Sequence, residues 1–186
     1  TMAALGLSRP HMPYKALIMS ILISPMIVPL IITAAGMFFF YARINLVYTF
    51  TGVILAHVAL ATPFVVITVT ATLVGFDMNM VKAAQSLGAR PIRTFFKVIM
   101  PLILPGIISG ALFAFITSFD EVVIVMFMAS IDQLTIPKQM WAGIRQEISP
   151  VILCMATCLV ILSIVLLTTV ELLRRRSERL RGIKSR

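Results

Sequence analysis

Long apolar stretches constrain this chain more than any other feature of its sequence. Four of them are long enough to cross the hydrocarbon core of a membrane as helices, which takes about 20 residues each. They cover residues 16–41, 47–76, 101–129 and 151–170. A soluble domain cannot bury so much apolar surface, because 60% of the 186 residues are hydrophobic. The sequence therefore predicts an all-α, polytopic transmembrane helical bundle.

The predicted spans leave room for one membrane domain with two larger loops. We expect residues 1–186 to form a single transmembrane domain, with a cytoplasmic loop at 77–100 and a periplasmic loop at 130–149. Residues 2–7 are apolar but short, which is typical of the end of a longer helix. We therefore expect the domain to be truncated at its N-terminus, with further spans upstream.

Basic residues are divided unevenly between the two sides of the predicted membrane. Thirteen of the sixteen Lys and Arg residues lie near the start, in the loop at 77–100, or after Glu171, all on one side. The other side receives Arg43, Lys138 and Arg145. Since cytoplasmic segments carry the excess of Lys and Arg, we expect a multi-pass protein of the bacterial inner membrane with a cytoplasmic C-terminus. The net charge of +9 then reflects topology and not binding to nucleic acid.

The tail after Glu171 is the most basic segment of the chain. Its charge predicts an anchor that fixes the orientation of the last span. Binding to anionic membrane lipid is the alternative interpretation.

Prolines are expected to bend three of the four spans. They are Pro25 and Pro29 in the first span, Pro63 in the second, and Pro101 and Pro105 in the third. Each removes a backbone hydrogen bond, and membranes tolerate this where neighbouring helices or water satisfy the freed carbonyl group. Bent helices are common where a path opens and closes, but they also occur in other membrane bundles.

The loop at 77–100 has the pattern of two short helices separated by a break. Residues 80–87 form a helical run, Gly88 suits a left-handed helix stop, and Pro91 suits the first turn of the next helix. Phe95 and Phe96 give the second helix apolar surface, which a soluble partner would cover. The alternative is a loop that packs on its own membrane bundle.

Two strings in this region, KAAQSLGA at 82–89 and MPLILPG at 100–106, resemble the EAA loop of ABC importer permeases. The resemblance implies a coupling helix that docks in a groove of a separate ATPase subunit. It assigns this role to Lys82, Ala83, Ala84, Gly88, Ala89 and Pro91. Lys82 stands where the family usually has an acid, which implies a changed charge partner or a variant interface.

The resemblance extends over nearly the whole chain. The string SFDE at 118–121 and the segment TIPKQMWAGIRQEISP at 135–150 look like those of the polyamine-type permeases. This implies the type I importer permease fold and uptake of a small solute, such as spermidine or putrescine, by alternating access. It also implies a dimer of ATP-binding subunits, a second permease subunit and a periplasmic solute-binding protein as partners. The alternatives are a permease of this type for an aminophosphonate, iron(III) or thiamine, and an ion-coupled secondary carrier.

Small residues recur at every fourth position along the third predicted span. They are Gly106, Gly110, Ala114 and Ser118. Small residues at this spacing let a second helix approach closely. On a helix that turns about 100° per residue, Glu121 falls on this stripe and Asp120 lies well off it.

Asp120 and Glu121 are the candidate residues of a solute path or gate. An acid at membrane depth is costly and indicates a function. We expect Glu121 to pack toward a neighbouring helix and Asp120 to face a different surface. Two interpretations remain equal: a carboxylate that offsets the charge of a cationic solute, and a hydrogen-bonded gate or clamp near the outer face.

Other side chains in or near the spans fit structural roles. We expect His57 to make an interhelical hydrogen bond and Trp141 to lie at the headgroup level in an interfacial helix. Cys154 and Cys158 are expected to be small packing residues.

Enzyme motifs are missing from the sequence. It contains no G-x-x-x-x-G-K-S/T phosphate loop, no G-x-S-x-G and no H-E-x-x-H. We therefore expect a transport subunit and not an enzyme, with no catalytic residue, no metal site and no cofactor. ATP hydrolysis is expected on a separate subunit.

Overall fold

A computed structural model describes residues 2–9, 12–146 and 149–180 of the chain. Within these ranges every regular element is a helix and no strand occurs, which confirms the predicted all-α transmembrane fold. The α-helices are α1 (Met2–Leu7), α2 (Lys15–Ile27), α3 (Leu30–Arg43), α4 (Phe50–Val74), α5 (Asn79–Ser86), α6 (Pro91–Thr94), α7 (Met100–Phe119), α8 (Val123–Met128), α9 (Ile136–Gln146) and α10 (Pro150–Leu180). A π-helix over Phe95–Ile99 joins α6 to α7, and a 3-10 helix over Ile131–Gln133 follows α8.

Three continuous helical segments among the described residues are long and apolar enough to cross a membrane. They are Phe50–Val74, Pro91–Phe119 and Pro150–Thr169. The first and last agree within a few residues with the predicted second and fourth spans. Beyond its apolar part, α10 continues to Leu180, and residues 181–186 of the predicted anchor lie outside the described part of the chain.

The first predicted span, at 16–41, is a bent pair of helices, as its prolines indicated. The structure divides it into α2 and α3, which meet at an angle of 107°. Pro29 causes the break, because a residue before proline is forced out of the helical region, and Val28 is extended with φ −72° and ψ 135°. Pro25 lies inside α2 without breaking it. The Ser24 hydroxyl donates to Ile21 O at 2.8 Å, the carbonyl that Pro25 leaves without a backbone donor.

The third predicted span, at 101–129, is wrong at both ends. The helical segment begins at Pro91 and ends at Phe119. The π-helix immediately precedes Pro101, and at its end Met100 N–H donates to Phe95 O. After Asp120 the chain leaves the helix, and α8 follows as a separate element.

The helix pair α4 and α7 forms the centre of the bundle. A Cβ atom added to Gly106 would collide with the Thr72 hydroxyl, and one added to Gly110 would collide with the Thr68 hydroxyl. The two helices therefore run antiparallel in close contact, with the small-residue stripe of α7 facing α4. This confirms the interpretation of the stripe as a helix-packing surface.

Two buried apolar clusters lie toward opposite ends of α4. One joins α3, α4 and α8; its members are Ala34, Ala56, Leu60, Ile124 and Met128. The other joins α1, α4 and α7 through Ala4, Val69, Leu73 and Ile103. The first cluster buries α8 and so holds the chain that follows Asp120 in a fixed position.

Candidate functional site

The loop at 77–100 has the predicted helix–glycine–helix geometry. Gly88 has φ +79°, the left-handed conformation that favours glycine. Its N–H donates to Gln85 O at 2.9 Å, and Ala89 N–H donates to Ala84 O at 3.0 Å. These two bonds are the Schellman pattern that ends a helix. Pro91 then occupies the first turn of α6, as expected.

This loop is exposed on one face and anchored on the other. Leu87 is 89% exposed, and Ile92 and Phe96 are also exposed. Val81 and Thr94 are buried, and α5 packs against α6 and the π-helix. A helix end with large apolar side chains in solvent is typical of a protein interaction surface.

The exposed face of the loop is positively charged. Its basic side chains are all exposed: Lys82, Arg90, Arg93 and Lys97. Asp77 is the only acid between residues 77 and 100, and its carboxylate accepts a hydrogen bond from Asn79 N–H at 2.9 Å. The surface thus presents positive charge around exposed apolar side chains.

The two neighbouring acids have different surroundings at the end of α7. Asp120 is exposed, whereas Glu121 is 6% exposed. Glu121 Oε1 accepts a hydrogen bond of 2.6 Å from Ile124 N–H. A continued helix would bond this N–H to the carbonyl of Asp120, so the Glu121 side chain helps to end α7 and begin α8.

The expected separation of the acids holds, but the reason given for it was wrong. Both acids lie beyond the last helical residue, Phe119, so their angles on a continued helix do not apply. Glu121 is buried because it lies at the N-terminus of α8. Burial raises the pKa of Glu121, and the backbone N–H groups of Ile124 and Val123 act in the opposite direction.

Two clefts lie on either side of the end of α7. The first has a volume of about 520 Å³ and includes His57 and Ser118 in its wall. The second, of about 470 Å³, includes Asp120 and Trp141. Four residues line both clefts: Phe115, Phe119, Pro137 and Leu159. The rings of Phe115 and Phe119 stack with centroids 5.3 Å apart, and both rings contribute to each wall.

His57 makes the interhelical hydrogen bond that the sequence predicted. Its Nδ1 lies 2.8 Å from the Ser118 hydroxyl oxygen. The bond joins α4 to the last member of the small-residue stripe, at the edge of the first cleft. It therefore joins the two helices near the end of the pair at which α4 begins and α7 ends.

Lys138 is a residue that the sequence did not single out. Its ammonium donates to Val125 O at 3.2 Å and to Ala129 O at 3.4 Å. These carbonyls lie in the last turn of α8 and just beyond it, where the helix dipole favours a cation. The contact was not foreseen because α8 was read as the end of a span, and a span interior offers no free carbonyls.

Two backbone groups of Tyr48 join the loop between α3 and α4 to the end of α8. Tyr48 N–H donates to Met128 O at 2.9 Å, and Gln133 Nε2 donates to Tyr48 O at 3.0 Å. Tyr48 has φ +60°, in the left-handed region that a residue with a side chain seldom adopts. No sequence pattern indicated this pairing, which depends on contacts between distant segments.

Two further expectations concern α9 and α10. Cys154 and Cys158 were expected to pack, but both are exposed on α10 in this chain. Trp141 is partly exposed, with Arg145 Cζ 5.6 Å from its ring centroid. Its location at the headgroup level stays a prediction.

Comparisons with known proteins give one family and several relatives. The family model for binding-protein-dependent transport system inner membrane components matches residues 1–179. The spermidine/putrescine transport system permease protein PotC of Haemophilus influenzae is 29% identical over 177 residues, which are 95% of this chain and 69% of that protein.

Two other relatives match shorter parts. The putrescine transport system permease protein PotI of Escherichia coli is 37% identical over 103 residues, 55% of this chain and 37% of that protein. The sulfoquinovosyl glycerol transport system permease protein SmoH of Agrobacterium fabrum is 29% identical over 120 residues, 64% of this chain and 42% of that protein. The chain thus spans about two thirds of the PotC relative and less than half of the other two.

Proposed function

The chain belongs to the family of binding-protein-dependent transport system inner membrane components, and we propose that it is the permease subunit of an ATP-driven importer of polyamines. The observation that carries this proposal is the exposed loop of α5 and α6 joined at Gly88. A permease without its own phosphate loop needs such a surface to receive force from an ATPase. The similarity to PotC over 95% of the chain supports spermidine or putrescine as the solute.

The coupling role of the loop is supported by its direct connection to a span. The α6 helix, the π-helix and α7 form one helical segment of 29 residues. At about 1.5 Å per residue, this segment reaches from the exposed loop to Asp120. We propose that closure of an ATP-binding dimer moves Lys82, Ala83, Ala84, Gly88, Ala89 and Pro91 together, and that this segment transmits the movement.

The packing of α4 against α7 defines which spans move together. The close contacts at Gly106 and Gly110 leave no room for sliding without side-chain rearrangement. The His57–Ser118 bond adds a polar contact near the other end. Alternating access then consists of a tilt of this pair as a unit, while the break at Val28 allows α2 and α3 to follow separately.

The second cleft supports a cationic solute. Asp120 is the one acid in its wall, and it shares the cleft with the aromatic residues Phe115, Phe119 and Trp141. A carboxylate and aromatic faces both attract ammonium groups. We propose Asp120 as the residue of the path that offsets solute charge. Glu121 is proposed as the clamp or gate residue, because its carboxylate is already bonded to α8.

The partners follow from the same proposal. The coupling loop receives an ATP-binding dimer from the cytoplasm, a second permease subunit completes the path, and a periplasmic binding protein delivers the solute. No described residue in the apolar part of α10 is buried, so this helix faces lipid or the second permease. The proposed location is the inner membrane of a bacterium, with a cytoplasmic C-terminus.

A different solute is the second candidate. The first cleft is lined mainly by apolar groups, with His57, Ser118 and Thr135 as its polar residues. A wall of this kind suits a neutral solute as well as an alkyl chain. The similarity to a permease for sulfoquinovosyl glycerol supports this candidate.

Uptake by the reconstituted transporter tests the proposal. The full-length permease, with its ATP-binding dimer, second permease and binding protein, is placed in vesicles loaded with ATP. We expect uptake of labelled spermidine or putrescine that requires both ATP and the binding protein. Uptake that persists without ATP would indicate an ion-coupled carrier. ATP-dependent uptake of another solute, with none of polyamine, would leave the permease role standing and reject the solute.

A further inference from the structure

The helix α9 forms an outer wall of both clefts but is only lightly held by the rest of the chain. Its first turn contributes Ile136 and Pro137 to the first cleft. Met140, Trp141 and Ile144 line the second. No described residue of α9 is buried, so apolar packing alone gives it little reason to stay in one position.

The element beside α9 is held much more firmly. The side chains of Ile124, Val125 and Met128 in α8 are fully buried. Glu121 bonds the N-terminal end of α8, and Tyr48 N–H bonds Met128 O at its C-terminal end. The α8 helix is therefore a fixed support next to a loosely packed wall.

Lys138 connects these two elements. It lies in the first turn of α9, and its ammonium reaches the carbonyl oxygens of Val125 and Ala129. The side chain is half-buried, and a charged donor in such surroundings makes stronger hydrogen bonds than a neutral one. The helix dipole of α8 adds to the attraction, because its C-terminal end is negative.

We propose that Lys138 is a positioning residue that latches α9 onto α8 and so holds α9 in place as a wall of both clefts. When the latch is broken, α9 moves away from α8 and both clefts become more accessible. The inference rests on the proposed function only in taking the clefts as part of the solute path. The latch itself is a statement about two helices and does not depend on which solute is carried.

Thiol labelling in the assembled, full-length transporter tests the latch. Cys154 and Cys158 are replaced with serine, and Leu159→Cys supplies one reporter, since Leu159 lines both clefts. The complex is placed in lipid nanodiscs, where a negatively charged maleimide reaches both faces. Because hydrogen bonds to a charged donor are worth more than neutral ones, we expect Lys138→Met to raise the labelling rate about tenfold.

Two control variants separate the latch from a general charge effect. Lys138→Arg keeps a charged donor and is expected to label at close to the parental rate. Arg145→Met removes a positive charge from the same helix, where the guanidinium lies 5.6 Å from the Trp141 ring centroid, and it is also expected to leave the rate unchanged. Equal rates for Lys138→Met and the parent would overturn the latch, as would an equal increase in Arg145→Met.

Variants that fail to assemble also give an answer. If Lys138→Met does not assemble, Lys138→Gln is compared with Lys138→Arg instead. The inference then requires that the Gln variant is labelled faster than the Arg variant. Equal labelling of those two, or loss of assembly in Lys138→Arg, would show that the side chain acts by its shape and would overturn the proposal. Faster labelling of Lys138→Met than of the parent, in a complex that moves no polyamine, would reject the solute and leave the latch supported.

Discussion

Asp120 and Glu121 are adjacent and chemically similar, yet the chain uses them in different surroundings. Glu121 is buried and bonded to the first turn of α8, so its carboxylate is part of the helix start. Asp120 is exposed and lines the second cleft. A solute that enters this cleft therefore meets one carboxylate, and the other has a structural partner.

The first prediction contrasts the two acids by charge removal. Asp120→Asn keeps the side-chain shape and removes the charge. A partly solvated ion pair is worth about 1 kcal/mol, so we expect polyamine uptake to fall about five-fold. Assembly and ATP hydrolysis should be unchanged. Uptake of labelled putrescine and spermidine in vesicles, together with complex yield, measures both effects.

Glu121 provides the matched control for Asp120. Glu121→Gln retains an acceptor for Ile124 N–H and loses only the favourable charge at the helix start, about 0.3–1 kcal/mol, so its effect on yield should be mild. Glu121→Leu leaves that buried N–H without a partner, which costs about 1–3 kcal/mol, and should reduce assembly severely. If Asp120→Asn takes up polyamine at the parental rate, Asp120 does not offset the charge of the solute. The clamp interpretation of this region would then stand.

At the scale of single elements, local signals predicted the helix–glycine–helix geometry of the loop at 77–100 well. Gly88 and Pro91 constrain their own backbone conformations, so a helix stop and a helix start were readable without knowledge of the fold. The start of α8 could not be predicted from local signals in the same way. Residues 122–129 are as apolar as the span before them, and the break depends on a bond from the Glu121 side chain and on burial against α3 and α4.

The second prediction concerns the conformation of Gly88. A side chain there meets no neighbouring atom, so the effect of a substitution is confined to the backbone. The left-handed region costs an L-residue about 1–2 kcal/mol, and more for a β-branched one. We expect Gly88→Val to uncouple ATP hydrolysis from uptake while the membrane bundle still folds, and Gly88→Ala to lie between. Uptake and binding of the ATP-binding subunit are measured in parallel.

Gly75 offers the control for this variant at the other end of the loop. It has an ordinary negative φ of −81°, and an added Cβ would come no closer than 3.9 Å to the Thr72 carbonyl oxygen. Gly75→Val therefore makes the same chemical change without backbone strain and should transport at close to the parental rate. Coupled uptake in Gly88→Val would show that the left-handed turn is dispensable.

At the scale of the whole molecule, hydropathy predicted how much of the chain lies in the membrane but not how far each helix bends. Pro25 and Pro29 both indicated a bend within residues 16–41, but only the folded chain shows that α2 continues through Pro25 and that the 107° break comes at Val28. The packing of α4 against α7 was foreseeable, because a small-residue stripe has meaning only against another helix. Contacts between distant loops, such as Lys138 with α8, were not, since they arise only when the chain has folded.

The third prediction concerns assembly of the whole complex through Lys82. The exposed face of the loop at 77–100 carries four basic residues, and Lys82 occupies a position that is usually acidic in the resembling family. We propose that the ATP-binding subunit presents an acid opposite it. Lys82→Glu then places like charges together and should weaken co-purification of the ATP-binding subunit. The defect should be larger at low ionic strength, because the screening length is about 10 Å at 0.1 M salt and about 30 Å at 0.01 M.

Lys97→Glu makes the same charge reversal at the base of the loop and separates a specific pair from general electrostatics. Lys97 lies in the π-helix that leads into α7, away from the turn at Gly88, so its reversal should weaken assembly less than that of Lys82. Assembly measured across a salt series distinguishes the cases. If the Lys82 variant retains the ATP-binding subunit at every ionic strength, the ammonium is solvated in the complex. Docking then depends on the exposed apolar side chains of the loop, Leu87 first among them.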